Sequence, residues 1–385
     1  MLTASVQGAL AAKAKDLPPA PTTGTGIDTL ATNVVLMDGD TGEVLWQKDG
    51  ETLMHPASMS KLMTLSLLFD ALKAGKVKLD DKFTVSERAW REGGAATGSS
   101  TMFLKIGDQI AVQDLIQGII VQSGNDACIV VAEGLAGTEE AFVDQENKRA
   151  RELGLTQSTF RNSTGWPDPQ HLMTAHDLAT LARHLIYDFP DYYHFFSEKQ
   201  FTWNGITQGN RNPLLYTDAS VDGLKTGHTE ESGFGLTVSS KRNGQRMILV
   251  LNGLPSMQAR ADQPRRILDW AYRSFRSYQL FDAGATVDTI PVWQGVDTKV
   301  ALITPAAVKE VLSTEQRPAL KVTVVYDLPA KAPITQGQQL ATLKIEAPGK
   351  PAREVPLVAA ASVERLGFFG RAMEGLHQMV FGSRQ

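Results

Sequence analysis

The chain has 385 residues, 42% hydrophobic and 21% charged, the make-up of a globular protein with room for more than one hydrophobic core. A net charge of -4 and an isoelectric point near 6.0 give nucleic acid no electrostatic foothold, and no uninterrupted apolar run of about 18 residues exists to form a spanning helix. Cys128 is the only cysteine, which excludes an internal disulfide, and its apolar neighbours predict a buried, inert thiol.

Residues 1–12 are small and mildly apolar. Ala9-Leu10-Ala11 has the small-x-small form of an export cleavage site but lacks the charged region expected before it, so residues 1–26 read either as a signal-peptide remnant with a Pro- and Thr-rich linker or as a plain tail. Residues 31–48 read as a hairpin, with the turn cluster Asp38-Gly39-Asp40-Thr41-Gly42 between two apolar stretches. From 56 to 72, Leu62, Leu65, Leu68, Phe69 and Leu72 recur at helical spacing behind the start signals Pro56 and Ser58. Residues 112–120 and 127–135 read as two buried helices, and helical patterns follow at 139–153 and 175–186. Residues 233–239 and 246–251, joined by Lys241-Arg242-Asn243-Gly244, read as antiparallel strands, with a last helix at 265–275 packed on them.

This order of strands, helices, strands and helix predicts a mixed α/β domain with an antiparallel sheet over residues 27–277. Beyond about Tyr278, alternating runs at 287–292, 321–326 and 339–346 predict a small all-β domain ending near residue 360. In the final segment, 361–385, Leu366, Phe369, Met373, Leu376 and Val380 share one helical face. Glu364, Arg365, Arg371, Glu374 and Gln378 interrupt the run, which suits lying in a membrane interface better than crossing it.

Three short motifs carry the chemistry. In Ser58-Met59-Ser60-Lys61, a serine and a lysine three apart share a helix face, so Lys61 can reach the Ser58 hydroxyl. The helix N-terminus and partial burial both disfavour its charge and make it a candidate base. Read alone, that pattern is more often an ordinary solvated turn. Ser123-Gly124-Asn125 reads either as a helix-breaking loop with a capping serine or as a proton shuttle (Ser123) beside a donor to a substrate amide (Asn125). Lys225-Thr226-Gly227 reads either as a charged strand edge or as positive charge, a hydroxyl for a carboxylate, and clearance for an approaching substrate backbone. Their joint occurrence in this order favours a serine acyl-transfer site.

With those motifs, the surrounding Pro56-Ala57, Gly98-Ser99-Ser100, Met102-Phe103-Leu104, Gln122, Asp126-Ala127, Asp222-Gly223-Leu224 and His228-Thr229 make the chain similar to the low-molecular-mass penicillin-binding proteins, the serine D-alanyl-D-alanine carboxypeptidases. The resemblance covers roughly residues 31–275 and implies the penicillin-binding/β-lactamase-like transpeptidase fold, with the β-rich segment and tail as C-terminal domain and membrane anchor. It implies removal of the terminal D-alanine from peptidoglycan stem peptides through an acyl-enzyme on Ser58, without cofactor or metal, in the periplasm at the outer face of the cytoplasmic membrane. β-Lactams are then covalent inhibitors. It further implies an oxyanion hole from the backbone N–H groups of Ser58 and His228, and a carboxylate-binding role for Arg260, which read without the resemblance is equally a surface arginine. His171, His176 and His184 form no metal-ligand pattern. Three rivals stand beside this reading: an endopeptidase with the same machinery, a β-lactamase, and a non-catalytic wall-binding scaffold. A Glu-x-x-Leu-Asn deacylation motif is missing between Ser123 and Lys225, and every motif residue is intact, which argues against the last two.

Overall fold

The computed structural model describes residues 2–5, 26–327 and 329–370. It divides into Gly24–Tyr272 and a second unit of Arg273–Gln385 with Met1–Thr23.

In the first unit, Asn33–Asp38 (β1) and Val44–Lys48 (β2) form the expected hairpin. Helices follow at Lys61–Lys73 (α1), Asn125–Ala136 (α2), Glu139–Glu152 (α3) and Ala175–Asp188 (α4). Then come the strands Val221–Thr229 (β3), Gly233–Arg242 (β4) and Gln245–Leu254 (β5), and the helix Met257–Ser274 (α5). The five strands pair antiparallel in the order β2-β1-β5-β4-β3. Every residue of β1 is buried because both faces of the sheet are covered. Val35, Met37, Ile248 and Val250 join the core of the helical layer, whereas Leu36 pairs with Trp46, whose ring meets Trp270 of α5 edge-on at 5.6 Å. Cross-strand partners share a face, so these two sets point opposite ways.

Helix α1 is buried nearly all round, including Leu62, Leu65, Leu68 and Phe69, which marks it as the central helix of the core. Thr138 and Thr174 cap α3 and α4 by accepting from the N–H groups of Ala141 and Asp177. Three features depart from the sequence reading. The helix expected at 112–120 is α-helical only over Val112–Gln117 and then widens into a π turn, Gly118–Gln122, which delivers Ser123 in a left-handed conformation. Helix α5 starts at Met257, eight residues before the expected 265, because Ser256 Oγ accepts from Ala259 N–H and Pro264 is tolerated inside the helix. The helix Glu87–Gly93 and the hairpin Gln200–Trp203 with Ile206–Gly209 carry no strong periodicity and were not expected.

The second unit is all-β apart from short helical turns among its described residues, with its own core around Val292, Leu302, Val324, Leu343 and Leu357. Leu2–Ser5, expected outside the fold, pairs antiparallel with Lys321–Tyr326, whose edge offers unpaired backbone groups. The terminal helix also begins later than its pattern suggests. Val363 and Arg365 are extended and bridge to Ile334 and Gly295, and helical backbone begins only at residue 368. Burial of Val363 against this β core overrides the helical periodicity at its start. Arg371, Met373, Glu374, Leu376, Gln378 and Val380 of that expected helix lie outside the described residues.

Candidate active site

The nucleophile turn is built before α1 begins. Ala57–Ser60 form a 3-10 turn that runs straight into α1. Ala57 holds φ at +48°, a left-handed conformation that costs a non-glycine residue about 1–3 kcal/mol. The turn leaves Ser58 half-buried and Lys61 fully buried, with Lys61 Nζ 2.8 Å from Ser58 Oγ.

Lys61 Nζ also donates to Asn125 Oδ1 at 2.7 Å and to the carbonyl of Thr164. Its three partners are uncharged oxygens. Desolvation, helped by the positive charge of Arg211, lowers its pKa to about 8. When Lys61 is neutral, Asn125 and Thr164 take its two hydrogens, and its lone pair is left facing the Ser58 hydroxyl.

Each acceptor is itself held. Asn125 opens α2, with its backbone N–H on the Ser100 carbonyl and its Nδ2 on Ser99 Oγ at 3.0 Å. The adjacent Asp126 accepts from Thr101 Oγ1 and from the N–H groups of Met102, Leu104 and Ala127, which ties segment 101–104 to the second motif. Gly165 packs onto the nucleophile turn so closely that a Cβ there would sit 2.1 Å from the Ala57 carbonyl oxygen, so the loop bearing Thr164 closes over Lys61. Ser163 donates from its N–H and hydroxyl to Glu139, which is also paired with Arg88.

Beneath them, Thr64 Oγ1 lies 2.7 Å from the Ser163 carbonyl and 2.9 Å from Glu146 Oε1. A hydroxyl has one hydrogen and a carbonyl can only accept, so Thr64 donates to Ser163 and the Glu146 carboxyl must be protonated to donate to Thr64. Full burial raises the Glu146 pKa well above the ordinary range, in agreement with that count.

On the other side of Ser58, Lys225 Nζ donates to Ser123 Oγ at 2.9 Å. Lys225 is buried, and desolvation followed by repulsion from Lys61, Arg211 and Arg260 lowers its pKa well below the usual lysine value. Gly227 backs onto the nucleophile turn: a Cβ there would lie 2.7 Å from the Pro56 carbonyl oxygen, so only glycine allows β3 this close to Ser58. Thr226 is buried beside it. The exposed His228 ring stacks on Phe234 at 3.9 Å, and the Arg260 guanidinium lies 5.3 Å over the same Phe234 ring. Arg260 is buried, and among the described residues its Nε has no hydrogen-bond partner.

The predicted residues Ser58, Lys61, Ser123, Asn125, Lys225, Thr226, Gly227, His228 and Arg260 therefore converge around one point. Two contributors were missed. The Thr164 carbonyl is a backbone group and leaves no mark in the sequence. Arg211, whose Nη1 bonds Ser100 Oγ, is set between the buried Asn210 and Asn212, which bond the carbonyls of Glu198 and Gly223. That Asn-Arg-Asn run ahead of Pro213 was the only available signal. With Lys61, Lys225 and Arg260, it completes a cationic cluster suited to a substrate carboxylate. Among the described residues no group of three His, Cys, Asp or Glu is placed to hold a metal ion.

A sequence model of the family described as D-alanyl-D-alanine carboxypeptidase, Peptidase S11, matches residues 20–255, and one described as Penicillin-binding protein 5, C-terminal domain, matches 275–365. D-alanyl-D-alanine carboxypeptidase DacC of Escherichia coli (strain K12) is 39% identical over 91% of this chain and 89% of its own. DacD of Salmonella typhimurium (strain LT2) is 38% identical over 94% and 93%. Penicillin binding protein 5 of Haemophilus influenzae superposes with a TM-score of 0.81 at 32% identity, covering 89% of this chain and all of that one.

If neutral Lys61 is the base, acylation of Ser58 by a fixed acyl donor should accelerate as pH rises through about 8 and level off above it; a stopped-flow profile flat from pH 6 to 10 would remove that role. Glu146 has a folded pKa above its unfolded value, so it weakens the fold increasingly as pH rises past the ordinary glutamate range. Glu146→Gln, which keeps a donor for Thr64, should therefore melt higher than the parent by about 2–6 °C at pH 8, with the gap closing toward pH 4. Calorimetric scans at both pH values check this, and a gap independent of pH rejects the protonated carboxyl.

Proposed function

The chain belongs to the D-alanyl-D-alanine carboxypeptidase family, and from that premise we propose how its residues carry out the reaction. It is a serine carboxypeptidase that removes the terminal D-alanine from peptidoglycan stem peptides and is inhibited by β-lactams. The observation that carries the assignment of roles is the placement of Lys61 Nζ between Ser58 Oγ and Asn125 Oδ1, with Lys225 on Ser123 opposite.

Neutral Lys61 takes the Ser58 proton as Oγ attacks the carbonyl of the penultimate D-alanine, and the N–H groups of Ser58 and His228 receive the oxyanion. Arg211, Arg260, Thr226 and Lys225 hold the terminal carboxylate. As the C–N bond breaks, the proton that Lys61 took from Ser58 is relayed through Ser123 to the departing D-alanine amine, which returns Lys61 to neutral with Ser123 unchanged. Water then gives a proton to Lys61 as it adds to the ester. Lys61 passes that proton to Ser58 Oγ as the ester C–O bond breaks, so the shortened peptide leaves with Ser58 and neutral Lys61 restored. The two buried glutamates of α3 are spoken for: Glu139 by Ser163 and Arg88, Glu146 by Thr64. That supports slow deacylation of β-lactam esters, hence inhibition rather than turnover.

We also propose a periplasmic location, with the amphipathic pattern from residue 368 onward lying on the outer face of the cytoplasmic membrane. Supporting this, Phe368 and Phe369 at the described end of that segment are exposed.

Intact-protein mass spectrometry after benzylpenicillin should find a lasting adduct in the parent and none in Ser58→Ala, and D-alanine release from a pentapeptide should accompany it. Lys61→Ala should slow adduct formation by about 10²–10⁴-fold. Adduct without D-alanine release from the pentapeptide, but with cleavage of a cross-linked dimer, would make the enzyme an endopeptidase. For the tail, a chain ending at Gly367 should stay in the supernatant when centrifuged with anionic vesicles while the full chain pellets; co-sedimentation of both would reject the anchor.

A further inference from the structure

Two carboxyl groups of α3 that the mechanism does not use, Glu139 and Glu146, are buried seven residues apart, two turns along one face of the helix. Both bear on Ser163, the residue before the carbonyl that accepts from Lys61: Glu139 directly and Glu146 through Thr64.

What each acid touches fixes its protonation. On one oxygen Glu139 receives the Ser163 N–H at 3.0 Å and its hydroxyl at 2.7 Å, and on the other Arg88 Nη2 at 2.9 Å. It faces donors only and serves as a carboxylate. Glu146 faces the Thr64 hydroxyl, whose one hydrogen goes to the Ser163 carbonyl at 2.7 Å, so it serves as a neutral acid. Ser163 is therefore gripped by opposite polarities, its donors turned to an anion and its carbonyl to a hydroxyl that an acid holds in line. The same peptide plane is held at its other edge, where the Thr164 N–H donates to Asn162 Oδ1 at 3.2 Å.

This arrangement costs stability. Glu146 is wholly enclosed, and among the described residues its Oε2 has no hydrogen-bond partner. Nor does Thr64 need it locally, because a helical threonine can give its hydrogen to a carbonyl one turn back in its own helix. What the grip supplies is direction at Thr164. Thr64 follows Lys61 by one turn of α1, so the helix that carries the base also carries the hydroxyl that steadies the loop above it.

We propose that Glu139, Glu146 and Thr64 are positioning residues for the catalytic lysine: acting through Ser163, they hold the Thr164 carbonyl where it takes one Lys61 hydrogen and leaves the Nζ lone pair on Ser58. None of the three touches the reacting atoms. The inference rests on the carboxypeptidase reading with Lys61 as its base. Loosening the grip admits water to Lys61 and relieves the desolvation that lowers its pKa, while the charged and titratable groups it feels, Cys128, Arg211 and Asp126, stay in place.

The test is the pH profile of Ser58 acylation by benzylpenicillin, followed in the full chain by stopped flow, which reads a plateau rate constant and a midpoint of about 8 in the parent. Rate constants do not depend on the folded fraction of each preparation. An amide at 146 still donates to Thr64, whereas an amide at 139 turns a donor toward either Ser163 or Arg88. Glu139→Gln should therefore lower the plateau about tenfold more than Glu146→Gln does, and move the midpoint upward. Thr64→Val, which removes the hydroxyl and keeps the shape, should lower the plateau by about ten- to hundredfold and raise the midpoint, and Thr64→Ser should restore both. If Glu139→Gln does not fold, the Thr64 pair decides alone. An unmoved midpoint in Glu139→Gln and Thr64→Val, whatever their plateaus, or a loss in Thr64→Val that Thr64→Ser does not restore, overturns the positioning role while Lys61 remains the base. A parent profile flat from pH 6 to 10 overturns the base and the positioning role with it.

Discussion

Everything in the catalytic unit turns on a lysine buried without an anion. Lys61 is wholly removed from solvent, and the three oxygens it touches, on Ser58, Asn125 and Thr164, are neutral. Holding an ammonium in such a place costs several kcal/mol. The nearest carboxylate it feels, Asp126, spends its own oxygens on Thr101 and three backbone N–H groups. The cheapest relief is to lose a proton, and the one acceptor-capable direction left is toward Ser58. The site makes a base by withholding the ion pair that would stabilise the acid.

Such a base works only if its acceptors cannot follow it. A mobile carboxylate or water would restore the charge, so the surroundings are rigid and uncharged. Asn125 is fixed from both ends by Ser99 and Ser100, and the Thr164 carbonyl is set by Gly165 against the nucleophile turn and by Ser163 on Glu139. Left-handed φ angles at Ala57, Phe103 and Ser123 concentrate strain in the three segments that meet there. The burial of α1 and α2, with Phe69 enclosed by Phe189, Tyr192 and Phe196, supplies the packing that tolerates it.

The motifs were legible because their geometry is short-range: three residues on a helix bring Lys61 to Ser58, and a strand edge carries Lys225 to Gly227. The hairpin of β1 and β2, helices α1 to α4 and the alternating strands of the second unit were legible for the same reason, through period. What escaped the sequence acts through backbone groups or across long loops. The Thr164 carbonyl has no side-chain signature. Arg211 reaches the site only because Asn210 and Asn212 tie a loop to distant carbonyls. Glu146 reads as one more polar residue of an amphipathic helix, and only its seat under Thr64 reveals a neutral carboxyl. Val363 reads as helical by periodicity and is extended in the fold, because tertiary burial decides its conformation.

The convergence of cations joins binding to chemistry. After desolvation, the charge of Arg211 lowers the proton affinity of Lys61, Lys225 and Arg260, which keeps Lys61 in the neutral form that can act as a base. A substrate carboxylate entering that cluster reverses the sign of the local field. It raises the proton affinity of Lys61 at the moment the Ser58 proton must be taken, and stabilises the lysinium that accompanies the oxyanion. An otherwise identical peptide ending in an amide lacks that term twice, once in binding and once in the barrier. Selectivity for a free C-terminus then resides in the transition state as well as in affinity, because the group recognised is also the group that tunes the base.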